Sequence, residues 1–200
     1  MRTLCPNIIR PSAQKELVMF RDGDTSDIIT AILYQDGRSA EFVNMAQLDC
    51  LRGANDYETC RNIWHFTKKS IKYRADRTGH ERVQSPGALM ASRVGDCKSF
   101  SVLEGSLLRA FGIRFCYRFT SYSLFGDFSH VYVVATLADG QKVVMDAVHT
   151  KFDDEVSFVK HTDRCPKNQS SIGAIPATTS AALAAAALLA GLWWVSNSTK

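Results

Sequence analysis

No apolar run of membrane-spanning length occurs before Ala181 in this 200-residue chain. The start, Met1-Arg2-Thr3-Leu4-Cys5-Pro6, lacks the apolar core of a signal peptide, so secretion by that route is not expected. Cys-x-x-Cys pairs are missing, and no histidine stands at zinc-finger spacing, so no structural metal and no cofactor is expected. Charge of one sign is not dominant either. The 24 Lys and Arg against 20 Asp and Glu leave a net charge of +4, too mild and too evenly spread to argue for nucleic acid. A composition 46% hydrophobic and 22% charged excludes wholesale disorder and suits one packed domain with an appendage. The cysteines are Cys5, Cys50, Cys60, Cys97, Cys116 and Cys165. Their even number is compatible with disulfides, but without export reduced thiols in a cytoplasmic compartment are expected.

What is present centres on Arg93-Val94-Gly95-Asp96-Cys97-Lys98-Ser99-Phe100-Ser101. The Gly95-Asp96 turn signal runs into an apolar-periodic segment, Phe100, Val102, Leu103, Leu107, Leu108 and Phe111, that ends at Gly112. This pattern predicts a helix over 97–111 with Asp96 as N-cap and Cys97 in the first turn. Unpaired backbone N–H groups and the positive end of the helix dipole favour thiolate over thiol there. The plain alternative for a lone cysteine is a small buried hydrophobe.

Upstream, Asp24-Thr25-Ser26-Asp27 caps a helix carrying Ile28, Ile29, Ile32 and Leu33, which Asp36-Gly37 stops. Phe42 to Leu48 and Asp56 to Ser70 form two further amphipathic segments, with Trp64 and Phe66 read as plain core. Ile71 to Arg74 is extended, and 75–86 is a polar surface loop holding a solvated His80. The densest basic run starts at Lys68-Lys69 and continues through Lys72, Arg74, Arg77 and Arg82. It reads mainly as a solvated face, with contact to an acidic partner as the alternative.

Beyond Gly112 the period changes from 3.6 to 2. Ile113–Thr120, His130–Leu137 and Gln141–Val148 read as three strands, with Cys116 inside the first as core or flank. Asp139-Gly140 marks a hairpin between the last two. Residues 130 and 146 are equidistant from position 138, so a three-residue turn sets His130 against Asp146, and a register shift of one or two leaves them diagonal neighbours. Asp127 and His149 are competing partners that pair less naturally across the hairpin. A cysteine at a helix start, a histidine on one strand and an aspartate on the next is the thiol form of a nucleophile–base–orienter set.

The blocks Ile71-Lys72-Tyr73, Gly95-Asp96-Cys97, Leu107-Leu108-Arg109-Ala110-Phe111-Gly112-Ile113, His130-Val131-Tyr132 and Asp146 occur in order. Over about 62–149 they resemble the transglutaminase-like superfamily of cysteine enzymes, whose fold is related to papain-like peptidases. The resemblance implies an α+β fold, with Cys97 as nucleophile, His130 as general base and acid, and Asp146 as orienter. It also implies acyl transfer from an amide of a peptide or protein through a thioester, to an amine or to water. Two departures stand out. Lys98-Ser99 follow the cysteine where an acidic residue is common, and Tyr132 replaces the usual tryptophan. The Cys97 N–H is one oxyanion donor, and Gln84 is a candidate for the second by its chemistry alone; Asp96 and Tyr132 complete the candidate site.

The expected organisation is an N-terminal helical extension (1–55), a transglutaminase-like core (56–160), a linker (161–177) and a hydrophobic helix (178–196). The unbroken apolar run Ala181–Val195, extended upstream, reaches about the twenty residues that span a bilayer. Trp193-Trp194 suits an interface, and Lys160, Arg164 and Lys167 would keep the catalytic part cytoplasmic. A partner-packed helix is the other reading of this segment. The rival to an enzyme is a non-catalytic scaffold of the same fold, used for binding or assembly in a viral (phage) particle or at a membrane.

Overall fold

The computed structural model describes Cys5, residues 7–12 and residues 17–167. The expected hydrophobic helix 178–196 lies outside them. Among the described residues no helix is long and apolar enough to cross a membrane.

The centre is a helix that runs Cys97–Phe111, and every residue of it except Arg109 and Phe111 is buried. A helix covered on all sides needs partners on all sides. Two helices pack on it from the N-terminal side: α1 (Thr25–Gly37) and the short α2 (Ser39–Phe42). A 3₁₀ turn over Met45–Leu51 leads to α3 (Asp56–Ser70), which flanks the same central helix. A short α4 (Pro86–Ser92) precedes it, which makes the central helix α5. The α1 cap is a full capping box: Asp24 accepts from the Asp27 backbone, and Asp27 accepts from the Asp24 backbone. At the other end of α5, Gly112 takes the left-handed conformation (φ 74°) that a residue with a Cβ adopts reluctantly.

The strands are β1 (Leu17–Arg21), β2 (Lys72–Tyr73), β3 (His80–Gln84), β4 (Val94–Gly95), β5 (Arg114–Ser121), β6 (His130–Thr136), β7 (Lys142–Met145) and β8 (Lys160–Arg164). The main sheet has the order β7-β6-β5-β8, all antiparallel, and its β5 and β6 lie on α5. Close approach of helix and sheet requires Gly105: a Cβ there would overlap the Tyr117 hydroxyl and stand 2.9 Å from Phe115 Cε2.

Several expectations need correction. Residues 80–84 are not loop but strand, paired antiparallel with β1 in the register Leu17↔Gln84 to Arg21↔His80. Alternation was invisible because the burial of His80–Gln84 only begins at Val83, and the backbone partner comes from a distant segment. His80 therefore stands at a strand end, exposed. Asp36 does more than stop α1: it is buried, accepts from Tyr117 Oη at 2.9 Å and pairs with Arg109. Burial pushes its carboxyl up, against the Arg109 charge and the hydrogen bonds from Tyr117 and Arg109.

The cysteines are not all reduced. Cys116 pairs with Cys165 and Cys5 with Cys50, leaving Cys60 and Cys97 free among the described residues. The first pair follows from register. Because Tyr117 faces Arg164, the next residues outward, Cys116 and Cys165, face each other with Cα atoms 4.1 Å apart. Strand β8 takes the start of the expected linker, and its sequence, Lys160-His161-Thr162-Asp163-Arg164, carries no apolar pattern that would announce it.

Candidate active site

Asp96 is the N-cap of α5. Its Oδ1 accepts from the Ser99 backbone at 3.3 Å, and its side chain is nearly fully buried. Cys97 is the first helical residue, so its sulfur stands among the free N–H groups of the first turn. Gly95 ties this turn down: its carbonyl accepts from the Arg74 N–H at 2.8 Å, part of the parallel β2–β4 pairing. A Cβ at Gly95 would run into Leu89 and the Ser99 side chain.

His130 opens β6 opposite Thr120 of β5. Its Nε2 lies 2.7 Å from Asp146 Oδ2, which leaves Nδ1 as the ring nitrogen available to Cys97, which lines the same cleft. The hairpin register differs from the symmetric one by two residues: Val133 faces Met145 and Thr136 faces Lys142. Asp146 lies just past β7 and reaches His130 diagonally. Its other oxygen, Oδ1, accepts from the Val148 N–H at 3.0 Å. Burial, the largest influence on His130, works against its charged form. The hydrogen bonds and negative charges of Asp146 and Cys97 outweigh it and raise the pKa from 6.5 to about 10.

Two residues outside the predicted set hold Asp146 in place. The Trp64 indole N–H donates to the Asp146 carbonyl at 2.7 Å. Lys68, one turn further along α3, donates to the carbonyls of Ala147 (3.1 Å) and His149 (2.6 Å). The only signal in the sequence was their shared helical face, i and i+4. Trp64 is core, as expected, but also a donor. Lys68 is not a solvated face residue; its ammonium lies over the Trp64 ring at 5.1 Å.

A cleft of about 310 Å³ opens onto Cys97 and His130, with Tyr73, Phe119, Phe128 and Asp96 among its walls. Gln84 and Tyr132 are not brought into it. The Gln84 amide donates to the Val94 carbonyl at 2.9 Å and accepts from Ser92 Oγ at 3.0 Å, so it braces the turn before β4. Tyr132 is buried with its hydroxyl on Glu155 Oε1 at 2.7 Å, and its ring lies 5.6 Å from that of His130. It supports the imidazole from the side and does not face the cleft. His149 turns instead to Asp154, at 3.5 Å.

One wall of the cleft is ionic. Asp76, Glu81 and Asp96 place carboxylate oxygens within 4.8 Å of one another, as metal ligands would be. The Lys98 ammonium sits on all three: it pairs closely with Asp96, with Glu81 at 2.6 Å and with Asp76 at 3.5 Å. Arg82 adds a second cation to Asp76 at 2.7 Å. Burial opposes the Lys98 charge, but Asp96, Cys97 and Glu81 together raise its pKa. The departure noted at this position thus supplies the charge that the acids require. Lys98→Met is expected to leave three carboxylates without their shared cation and to cost about 3 kcal/mol, because a buried pair broken on one side strands the other. Thermal melts check this, and the loss should be smaller at pH 5 than at pH 8, where the carboxylates cannot share protons.

Residues 49–147 match the family described as the transglutaminase-like superfamily. That segment, just under half of the chain, belongs to the superfamily. No curated protein matches it. Solved structures similar to it include a proposed protease from Parabacteroides distasonis (15% identity, TM-score 0.47, covering 62% of this chain and 27% of that one). A proposed cysteine protease from Cytophaga hutchinsonii aligns at 14% identity and TM-score 0.42, over 74% of this chain and 62% of that one. Legionella pneumophila LapG aligns at 15% identity and TM-score 0.39, over 60% of this chain and 75% of that one. The chain thus spans less than two thirds of the first two of these proteins.

Proposed function

We propose that this transglutaminase-like protein is a thiol-dependent enzyme that transfers or hydrolyses the acyl group of peptide or glutamine amides. The observation that carries the reading is that His130, paired with Asp146 at 2.7 Å, lines the same cleft as Cys97. In this mechanism Cys97 sulfur attacks the amide carbonyl and a tetrahedral intermediate forms. The Cys97 N–H at the start of α5 serves as one donor to its oxygen. The intermediate collapses as the C–N bond breaks, and the proton on His130 passes to the leaving amine. A thioester on Cys97 remains. Water or an amine then attacks it while His130 takes the incoming proton, and the thiolate leaves. Asp146 keeps the ring oriented and stabilises its charged form. The open cleft supports this reading over a non-catalytic scaffold of the same fold.

The test is mass spectrometry of the intact protein after mixing with a glutamine-containing peptide, with and without a primary amine. An acyl adduct on Cys97 is expected. Peptide–amine conjugate, deamidated peptide or cleaved peptide then tells transferase, deamidase and protease apart. Absence of adduct and of every product across a peptide library would overturn the proposal.

A further inference from the structure

A second cavity, of about 410 Å³, lies beside the catalytic cleft and is lined by Met19, Arg74, Ala75, Arg77, His80 and Arg82. Ala75 lines both cavities, so the two adjoin along the chain that links β2 to β3. We infer that this basic groove is a subsite for an acidic side chain of the peptide substrate, at a position flanking the amide that reacts. As a substrate contact it rests on the reading of Cys97 as nucleophile; as a binding site for acidic peptide it does not.

The charges make the case. Arg74, Arg77 and Arg82 line one concave surface with His80, and arginine charges gathered so repel unless an anion lies between them. Arg82 has a partner in Asp76. Among the described residues, no carboxylate pairs with Arg74 or Arg77, whose side chains are exposed. Glu81 and Asp96, also nearby, are taken up with Asp76 by Lys98, and Asp22 is a further acid. It lies behind the turn, where its backbone N–H bonds the Gly79 carbonyl at 3.1 Å and its carboxylate stands where a Cβ on Gly79 would.

The frame around the groove is ordered by backbone bonds. His80 N–H donates to the Arg77 carbonyl at 2.9 Å, and the Arg74 N–H is fixed on Gly95. The exposed Met19 side chain offers apolar surface beside the charges. A planar guanidinium binds a carboxylate through two parallel N–H···O bonds, so a pair of uncommitted arginines suits Glu or Asp better than a neutral amide. Continuity with the cleft makes an extended peptide the occupant: one residue at Cys97, another a short distance along at the arginines.

The test is fluorescence anisotropy with two labelled octapeptides, one rich in glutamate and one with glutamine at the same positions. The Cys97→Ala protein is used, so that chemistry does not intervene. At low salt the glutamate peptide is expected to bind at least tenfold tighter, with the advantage shrinking at high salt. Arg74→Gln/Arg77→Gln should remove most of it without changing the melting temperature. Arg10→Gln/Arg114→Gln, which removes the same charge from exposed positions elsewhere, should leave most of it. Equal binding of the two peptides, or an equal loss in the control variant, would overturn the subsite. Failure of the acyl-adduct experiment would not alter these readings, so the two proposals fall separately.

Discussion

Cys97→Ala is expected to abolish alkylation of the native protein by iodoacetamide at slightly acidic pH and to lower any acyl-transfer activity on the order of 10⁴- to 10⁶-fold. The chain makes this a clean experiment. Four of the six cysteines are paired as Cys5–Cys50 and Cys116–Cys165. Burial, reinforced by the negative charges of Asp56, Glu104 and Asp153, pushes the remaining thiol, Cys60, up to about 12. Buried and held as a thiol, Cys60 should not react. Intact-mass analysis of the wild type should therefore show one adduct, and peptide mapping should place it on Cys97. The variant should show none. Two adducts, or one that survives the substitution, would remove the basis for an activated thiol at this helix start.

Asp146→Asn should leave the fold in place and cut activity about 10⁴-fold, the scale seen when the orienting aspartate of a serine triad is replaced by its amide. The physical reason lies in the two oxygens of Asp146. One accepts from the Val148 N–H and the other meets His130 Nε2. An asparagine that keeps its oxygen on Val148 must turn its NH₂ toward the ring. Nε2 then has to accept, and the imidazole proton moves to Nδ1, the side that serves Cys97. The ring can neither take a proton there nor be stabilised once charged. A second measurement follows from linkage. Native His130 titrates near 10, against 6.5 when free, so its contribution to stability is complete below about pH 6.5 and lost as pH rises through about 10. Wild-type denaturation curves should show stability falling across that window. The fall should be shallower in Asp146→Asn. Identical slopes would mean that Asp146 does not hold the proton on His130.

Local order was legible wherever short-range chemistry decides it. The N-cap at Asp96, the apolar period to Phe111 and the breaker Gly112 delimit α5, and the structure has that helix at Cys97–Phe111. The Asp139-Gly140 signal placed a hairpin between β6 and β7, although the register differs by two residues from the symmetric one. Diagonal reach across a ladder absorbs that shift, so the contact between His130 and Asp146 could be anticipated without the right register.

Long-range order was not legible. Nothing in His80–Gln84 or Lys160–Arg164 alternates strongly, because both are edge strands. Strand β8 then decided a disulfide, against the expectation of reduced thiols. The same limit hid Lys98. In sequence it reads as one more cation beside Cys97; only the turn of the chain from Asp76 through Glu81 wraps three acids around it.

The one-dimensional pattern therefore determined where the chain coils, where it extends, and which sulfur begins the central helix, since caps, periodicity and turn residues act over a few positions. Tertiary structure alone decided which charges lie together: Lys98 with its acids, Lys68 with the carbonyls beyond Asp146, and the guanidiniums lining the neighbouring groove. Coulomb energy depends on separation in space, and separation along the chain says little about it.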